Sequence, residues 1–358
     1  MNPEGYSPNP ERARVEELRA NIYSETKAEN VVPVRVLSGQ GALVDLVLED
    51  TIDKWERVKR PLIVIECAHP EKDVQTVIYK GKITEGPHEG LEREIEFYSK
   101  MRPFKEELSA QQIEIADVIK QRTEANPPYI ILSHIDGETL GSIHTLDPER
   151  LDPERDFSKI ALFIDKAKDA LSEPPVSEHL QNNKVDRITS YRSTLEMLKQ
   201  HPEVFSKFSE KLERVMAIAE RMLANSEFKP CIRDLNPSNL MHLEDGKKLG
   251  IIDFERNCLA NNDGYDYSFL YVGLWGEPDK QRILQSQLNS RNELLGDKMV
   301  LDAVLHRMPC EMLYWYKFAE SNRDNEEMIA LARDALTFYL AKFDEDLDQL
   351  INNEQGSI

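Results

Sequence analysis

Hydrophobic and polar positions change their period twice along the chain. Glu11 to Tyr23 put Val15, Leu18 and Ile22 on one stripe, the spacing of an amphipathic helix. From Val31 alternation takes over. Val34, Val36, Val44, Leu46 and Leu48 flank the glycine-bearing segment Ser38-Gly39-Gln40-Gly41 and predict two strands joined by a turn. Leu62 to Glu66 and Val74 to Lys80 are further strand candidates, divided by the turn-like His69-Pro70-Glu71-Lys72-Asp73. Residues 50–60 are charged and fit either a helix or an inserted loop. A helix is expected from Gly90 to Met101, and Tyr129 to Ser133 reads as a short buried strand before an Asp136-Gly137 turn.

Helical spacing then dominates, over 157–171, 186–199, 203–224, 279–295, 298–319 and 326–351. One strand-and-loop island, Cys231 to Asp266, interrupts it. The expectation is an α+β chain with a β-rich front portion, residues 1–134, and a helical rear, residues 135–358.

Composition narrows the function classes. Asp and Glu number 65 against 45 Lys and Arg, a formal net charge of −20. A field of that sign repels nucleic-acid backbones and anionic membranes and attracts cations. Neither a nucleic-acid nor a membrane partner is expected. The 4 cysteines, Cys67, Cys231, Cys258 and Cys310, lie far apart with no C-x-x-C pair, which argues against a disulfide framework or a zinc site. The polar start MNPEGYSPNPER has no apolar stretch of the secretory kind, and no apolar run approaches the roughly 20 residues that span a bilayer. A cytoplasmic location is the expectation; oligomeric state is not legible.

The island carries the chemistry. Asp234 is followed by Asn239 five residues later and Asp253 fourteen after that. The apolar runs Leu240–Leu243 and Leu249–Ile252 are separated by Glu244-Asp245-Gly246-Lys247, a natural hairpin turn. Such a hairpin brings Asn239, just before its first strand, close to Asp253, just after its second. Two carboxylates and an amide oxygen are hard ligands suited to Mg²⁺, and phosphoryl transfer uses such a set to handle the hydroxyl proton and hold metal against phosphates. The plainer reading is a hairpin with acidic residues at its ends, where Asp is common.

Arg233-Asp234-Leu235-Asn236-Pro237-Ser238-Asn239, followed by Ile251-Ile252-Asp253-Phe254-Glu255, resembles the aminoglycoside phosphotransferase and choline kinase group of protein-kinase-like enzymes. The resemblance implies a two-lobed protein-kinase-like fold with a small β-rich N-lobe and a larger, mostly helical C-lobe. It implies Asp234 as catalytic base, Asn239 and Asp253 as Mg²⁺ ligands, and Asp266 as a brace of the catalytic loop. It also implies ATP or GTP as phosphoryl donor and a small-molecule hydroxyl as acceptor. One position departs from the family pattern: Ile232 stands where a His is usual, which leaves room for a pseudokinase-like nucleotide-binding protein.

By the same resemblance, the strand Val77-Ile78-Tyr79-Lys80 ends in the Lys that contacts the α- and β-phosphates, held by a Glu of the next helix. Glu94 is the matching residue in Glu-x-x-Phe-Tyr; Lys82 and Glu96 are rivals. Backbone groups from Ser133 to Ile135 would meet the purine, with Ile78 and Ile252 as apolar walls. Ser38, Gly39 and Gly41 fit a phosphate-capping turn, and a plain hairpin turn also accounts for them. The absence of a Walker G-x-x-x-x-G-K-[ST] disfavours a P-loop NTPase.

The acceptor side is less specific. Glu255 and residues 257–263 follow the metal motif. Tyr271, Trp275 and Tyr314-Trp315-Tyr316 fit either an aromatic wall for a cation or helix core. Asp344-Glu345-Asp346-Leu347-Asp348 fits either an attractor of cations or a solvated helix face. The acidity favours a cationic acceptor such as an aminoglycoside, choline or a related amine.

Overall fold

The computed structural model describes residues 32–37, 43–44, 62–68, 77–82, 89–122, 129–141, 147, 149–244, 246–274 and 276–356. The expected helix at 11–23, the Ser38–Gly41 turn, the 50–60 segment, the His69–Asp73 turn and Trp275 lie outside the described residues. Packing divides the chain into two units. One comprises Met1–Ser99 with Ile115–Asp136, the other Lys100–Glu114 with Gly137–Ile358. The fold is α+β, a small sheet-bearing unit and a larger, mostly helical one.

The smaller unit is built on a six-stranded sheet. Its strands are β1 (Val32–Leu37), β2 (Leu43–Val44), β3 (Leu62–Ala68), β4 (Val77–Lys82), β6 (Val118–Arg122) and β7 (Tyr129–Ser133). The order is β2-β1-β3-β4-β7-β6, and every pairing is antiparallel. The expected strands at 62–66 and 129–133 are present, and of the one expected at 74–80 residues 77–80 are strand while 74–76 lie outside the described residues. Helix α1 (Glu89–Met101) begins with Glu89 and Glu92 and ends with Lys100, charges that suit the helix dipole. Its apolar stripe, Leu91, Ile95 and Tyr98, is buried, as is Phe97.

The front portion holds one departure from the simple division at residue 135. Residues 100–114 pack with the larger unit. They form α2 (Lys105–Ala110) and lead into β5 (Ile113–Ile115), which lies beside β12 (Lys248–Ile251). The reason is apolar: Leu108 and Ile113 are fully buried there.

In the larger unit, β8 (Glu138–Thr139) and β11 (Leu240–Leu243) complete a four-stranded sheet ordered β5-β12-β11-β8. Helix α3 (Pro153–Ser172) has Asp152 as N-cap and Pro153 in its first turn, and it buries Phe157, Ile160, Phe163, Ile164, Ala167 and Leu171. This helix grips the β11–β12 hairpin. Lys159 Nζ donates to the Lys247 carbonyl at 2.7 Å, and Asp156 pairs with His242 at 2.9 Å. Next come α4 (Glu178–Asn182), β9 (Lys184–Val185), α5 (Arg187–Lys199), α6 (Pro202–Leu223), β10 (Lys229–Cys231) and β13 (Cys258–Ala260). The last strand lies between β10 and β9 in a small sheet.

The C-terminal helices are α7 (Tyr265–Gly273), α8 (Pro278–Arg291), α9 (Leu295–Asp302), α10 (Met308–Ser321) and α11 (Glu326–Gly356), with a π turn over Ala303–Arg307. Helix α7 meets α9 at Gly264, where an added Cβ would stand 2.3 Å from the Met299 backbone nitrogen. No helix among the described residues is long and apolar enough to cross a membrane.

A buried polar knot ties α5 to α9 and the π turn. Arg187 bonds Asp302 through Nε at 2.9 Å and Nη2 at 2.6 Å, and Tyr191 donates to the same carboxylate oxygen at 2.9 Å. His306 lies 3.0 Å from Thr194 Oγ1. Burial first, then the Arg187 charge, pushes the His306 pKa down to about 3. The folded value lies below the ordinary imidazole value of about 6.5. The stability it confers is therefore complete above about pH 6.5 and is lost as the pH falls toward 3. Asn at this position (His306→Asn) keeps a hydrogen-bonding group near Thr194. It should flatten the acid-side decline of stability by up to about 1.4 kcal/mol per pH unit, read by denaturant unfolding below about pH 6.5.

Candidate active site

The site in the larger unit begins where β10 ends. Cys231 and Ile232 are buried apolar anchors, and the chain then reverses sharply at Arg233, whose φ is 69°. The Asp234 N–H donates to the Ile232 carbonyl at 3.0 Å, closing a three-residue turn of a rare and strained kind. Asp266, in the first turn of α7, supplies the compensation. Its Oδ1 accepts from the N–H of Ile232 at 2.8 Å and of Arg233 at 3.0 Å. Its other oxygen lies 3.2 Å from Lys168 Nζ of α3. Burial works against the Lys168 charge, but Asp266 and neighbouring groups outweigh it and raise its pKa. The bracing expected of Asp266 is visible in these bonds.

Asp234, 8% exposed, is enclosed by polar partners. Asn236 Nδ2 donates to its Oδ1 at 3.2 Å, and Asn239 Nδ2 donates to its carbonyl at 2.9 Å. Asn236 also caps the short 3₁₀ turn Pro237–Asn239 by accepting from the Ser238 N–H at 3.0 Å. Arg256 Nε stands 3.4 Å from Asp234 Oδ2, with its side chain 56% exposed.

The hairpin performs the expected convergence. Leu240 pairs with Ile251, and the Ile252 N–H donates to the Asn239 carbonyl at 3.1 Å. Asn239 therefore faces the strand end that delivers Asp253. Asp253 is itself left-handed, with φ 68°, and the next residue, Phe254, is fully buried against Phe163 at 5.7 Å between ring centres. That anchor turns the chain while Asp253 and Glu255 stay partly exposed, with a carboxylate oxygen of each within 4.8 Å of the other. Since the Asn239 amide nitrogen is spent on the Asp234 carbonyl, its oxygen is the end left for a ligand. An amide oxygen and two carboxylates form a hard donor set that fits Mg²⁺.

In the smaller unit, Lys80 on β4 pairs with Glu94 on α1 at 2.6 Å, with side chains 7% and 1% exposed. Lys82 lies on the same strand, though its side chain is not described, and Ser38, Gly39 and Gly41 lie outside the described residues. Ile78 pairs with Leu132 across β4 and β7. Ser133 closes β7 with two bonds to Asp117: its N–H donates to the Asp117 carbonyl at 2.8 Å, and its Oγ accepts from the Asp117 N–H at 2.7 Å. Ser133 and Ile135 are both partly exposed, as is Ile252 in the larger unit.

A family model described as the phosphotransferase enzyme family matches residues 82–289, more than half of the chain. The chain belongs to this phosphotransferase family. Among solved structures it is similar to the aminoglycoside phosphotransferase APH(2'')-Ib bound to ADP, at 15% identity over 91% of this chain and 98% of that one, with a TM-score of 0.50. It is also similar to an aminoglycoside phosphotransferase from Alicyclobacillus acidocaldarius, at 13% identity over 81% and 91% of the two chains, again with a TM-score of 0.50. At such identities the likeness is one of fold. No curated protein sequence matches.

Several acceptor-side candidates of this phosphotransferase chain are scaffold. Tyr271 is buried and donates to Asp346, and Trp315 is buried while Tyr314 is exposed. Asn257, Asn261 and Asn262 are buried, and their amides serve Phe254, Asp186 and Tyr191. Within the acidic run, Asp344 and Asp348 hold Lys211 of α6 at 2.5 and 2.8 Å. Asp346 is paired with Lys342 at 2.8 Å, and burial raises its pKa to about 6. The residues that sequence reasoning passed over are Arg256, Lys168 and Arg307. Arg256 had a signal, since it follows the Asp253-Phe254-Glu255 motif directly; the other two reach the loop from distant helices.

Replacing Asp266 by Ala leaves two N–H groups without their acceptor and Lys168 without its carboxylate. The loss expected is about 3–5 kcal/mol of unfolding free energy. Hydrogen exchange at Ile232 and Arg233 should rise with it, measurable by mass spectrometry of the peptide spanning them.

Proposed function

We propose that the chain transfers the γ-phosphoryl group of ATP or GTP to a hydroxyl of a small, cationic molecule such as an aminoglycoside, choline or a related amine. The observation that carries this reading is the hydrogen bond from Ile252 N–H to the Asn239 carbonyl, which draws Asn239 and Asp253 to one end of a hairpin while Asn239 also holds Asp234. Family membership and the hard donor set support it.

In this reading Asp234 orients the acceptor hydroxyl and receives its proton. The hydroxyl oxygen bonds to the γ-phosphorus as the bond to the β-phosphate oxygen breaks, and a nucleoside diphosphate leaves. Asn239 and Asp253, with Glu255 beside them, would hold Mg²⁺, which supplies neutralisation of phosphate charge. Lys80, fixed by Glu94, orients the α- and β-phosphates. The cationic acceptor rests on the net charge of −20. With Arg256 beside Asp234, such an acceptor must present its hydroxyl there and keep its ammonium away.

A nucleotide-consumption assay with Mg²⁺ across amines, amino-sugars and neutral sugars tests the assignment, and a preference for neutral sugars would remove the cationic acceptor. Asp234→Ala is expected to lose at least about 100-fold in turnover while nucleotide affinity holds within a few-fold. Asp253→Ala should lose the Mg²⁺-dependent part of nucleotide binding, read by titration calorimetry with and without the metal. Nucleotide binding without turnover on any acceptor would instead support the pseudokinase-like alternative.

A further inference from the structure

Two costly features meet at one point in the larger unit. The first is the π turn. Residues 302, 303, 307 and 308 all have right-handed helical dihedrals, so α9, the turn and α10 form one continuous helix. Within it the Met308 N–H bonds the carbonyl of Ala303, five residues back. The sequence supplies the cause: Pro309 has no N–H, and its ring collides with the carbonyl four residues earlier, that of Leu305. An extra residue in the preceding turn relieves that collision and rotates the residues before it about the helix axis.

The second feature is Arg307, the last residue of that turn. Its guanidinium stacks on the Phe269 ring at 3.3 Å and lies 5.4 Å from the Tyr265 ring, both on α7. Burial lowers its pKa. Among the described residues no carboxylate lies within ion-pair distance of it, and its buried Nε has no hydrogen-bond partner. The nearby Asp302 carboxylate bonds Arg187 and Tyr191 through Oδ1 and lies beyond ion-pair distance of Arg307. A partly enclosed cation with a buried, unpartnered Nε and no carboxylate in ion-pair reach opposes folding, and an apolar side chain of similar volume would suit the position better.

What Arg307 does reach is the Arg233 carbonyl, at 3.4 Å through Nη2, a long contact between a charge and a dipole. That carbonyl belongs to the peptide unit linking Arg233 to Asp234. The same unit's N–H is already committed to the Ile232 carbonyl. With both ends held, the plane of this peptide is fixed, and so is the direction in which the Asp234 side chain leaves the backbone. Helix α7 thus holds the loop twice, through Asp266 on the two N–H groups and through the rings that carry Arg307.

We propose that Arg307, aimed by the π turn that Pro309 imposes, is a positioning residue for Asp234. The proposal rests on the reading of Asp234 as the group that handles the acceptor hydroxyl. It assigns the π turn a role in activity and none in stability.

The test uses the full chain and four variants, Arg307→Met, Arg307→Lys, Pro309→Ala and Asp234→Asn. MgATP is the substrate and water the acceptor, with ADP release as the readout, alongside thermal unfolding and hydrogen exchange over Cys231–Asn236. Arg307→Met and Pro309→Ala should each lower turnover by about 10- to 100-fold with the KM for ATP within about threefold. Both should unfold at or above the wild-type temperature, and exchange at Ile232 to Asp234 should quicken. Arg307→Lys, which keeps a donor, should recover part of the loss. Pro309→Ala leaves every site side chain in place, so it separates aim from chemistry. Wild-type turnover by Arg307→Met beside an inactive Asp234→Asn overturns the inference, as does unchanged exchange at Ile232 to Asp234. Wild-type turnover by Asp234→Asn overturns the reading of Asp234 itself, and the exchange data then judge Arg307 alone.

Discussion

One carboxylate holding two consecutive backbone N–H groups is the contact on which the rest of the site depends. A left-handed Arg233 is sterically unfavourable by roughly 1–3 kcal/mol, and nothing in its side chain offsets that. Charge-assisted bonds to Asp266 do, because each is stronger than a neutral hydrogen bond and both are made in a buried setting. Lys168 of α3 then pairs with the other oxygen of Asp266. Once the loop is pinned, Asn236 and Asn239 can close around Asp234, and Asn239 can accept from the far end of the hairpin. The strain at Arg233 and Asp253 is a local property of two residues, whereas its compensation is spread over α3, α7 and the hairpin.

The sequence was most legible where a pattern repeats. Short apolar runs bounded by turn-like segments located β3, β4 and β7, and the long helical stripes located α3, α5, α6, α8 and α11 to within a few residues. Helix α7 escaped because nearly all of it is buried: Tyr265-Asp266-Tyr267-Ser268 has no polar face to set a period. Strands of two or three residues, such as β8, β9 and β13, are too short to alternate. The reading of 298–319 as one helix missed the π turn, although Pro309 marked it. At the site, Asp234, Asn239 and Asp253 were legible because a turn motif lies between two apolar runs. Lys168 and Arg307 were not, since their partners are other residues' backbone or a carboxylate about 70 to 100 positions away.

Net charge turned out to say less about local chemistry than its size suggests. Several of the acidic side chains are engaged within the scaffold. Asp344 and Asp348 bind α11 to α6, Asp302 neutralises Arg187, and Asp263 holds Lys298 at 2.9 Å. Beside Asp234 the nearest charged neighbour is a half-exposed arginine. A charge of −20 acts on a cation at long range, where fields add, and it fades within about a Debye length of 8 Å in physiological salt. Close to the reacting groups, individual side chains decide.

Gly264 sets how deeply α7 can sit. With backbone atoms of Met299 and Lys298 inside the space of a methyl group, α7 and α9 touch main chain to main chain. The depth of Asp266, two residues on, is thereby gauged by peptide groups, which every sequence shares, rather than by the volumes of core side chains, which drift. An architecture calibrated this way can exchange most of its interior over evolutionary time and still deliver the loop to the same place. The tolerance has a weak point at Gly264, a position where even one carbon atom cannot be added.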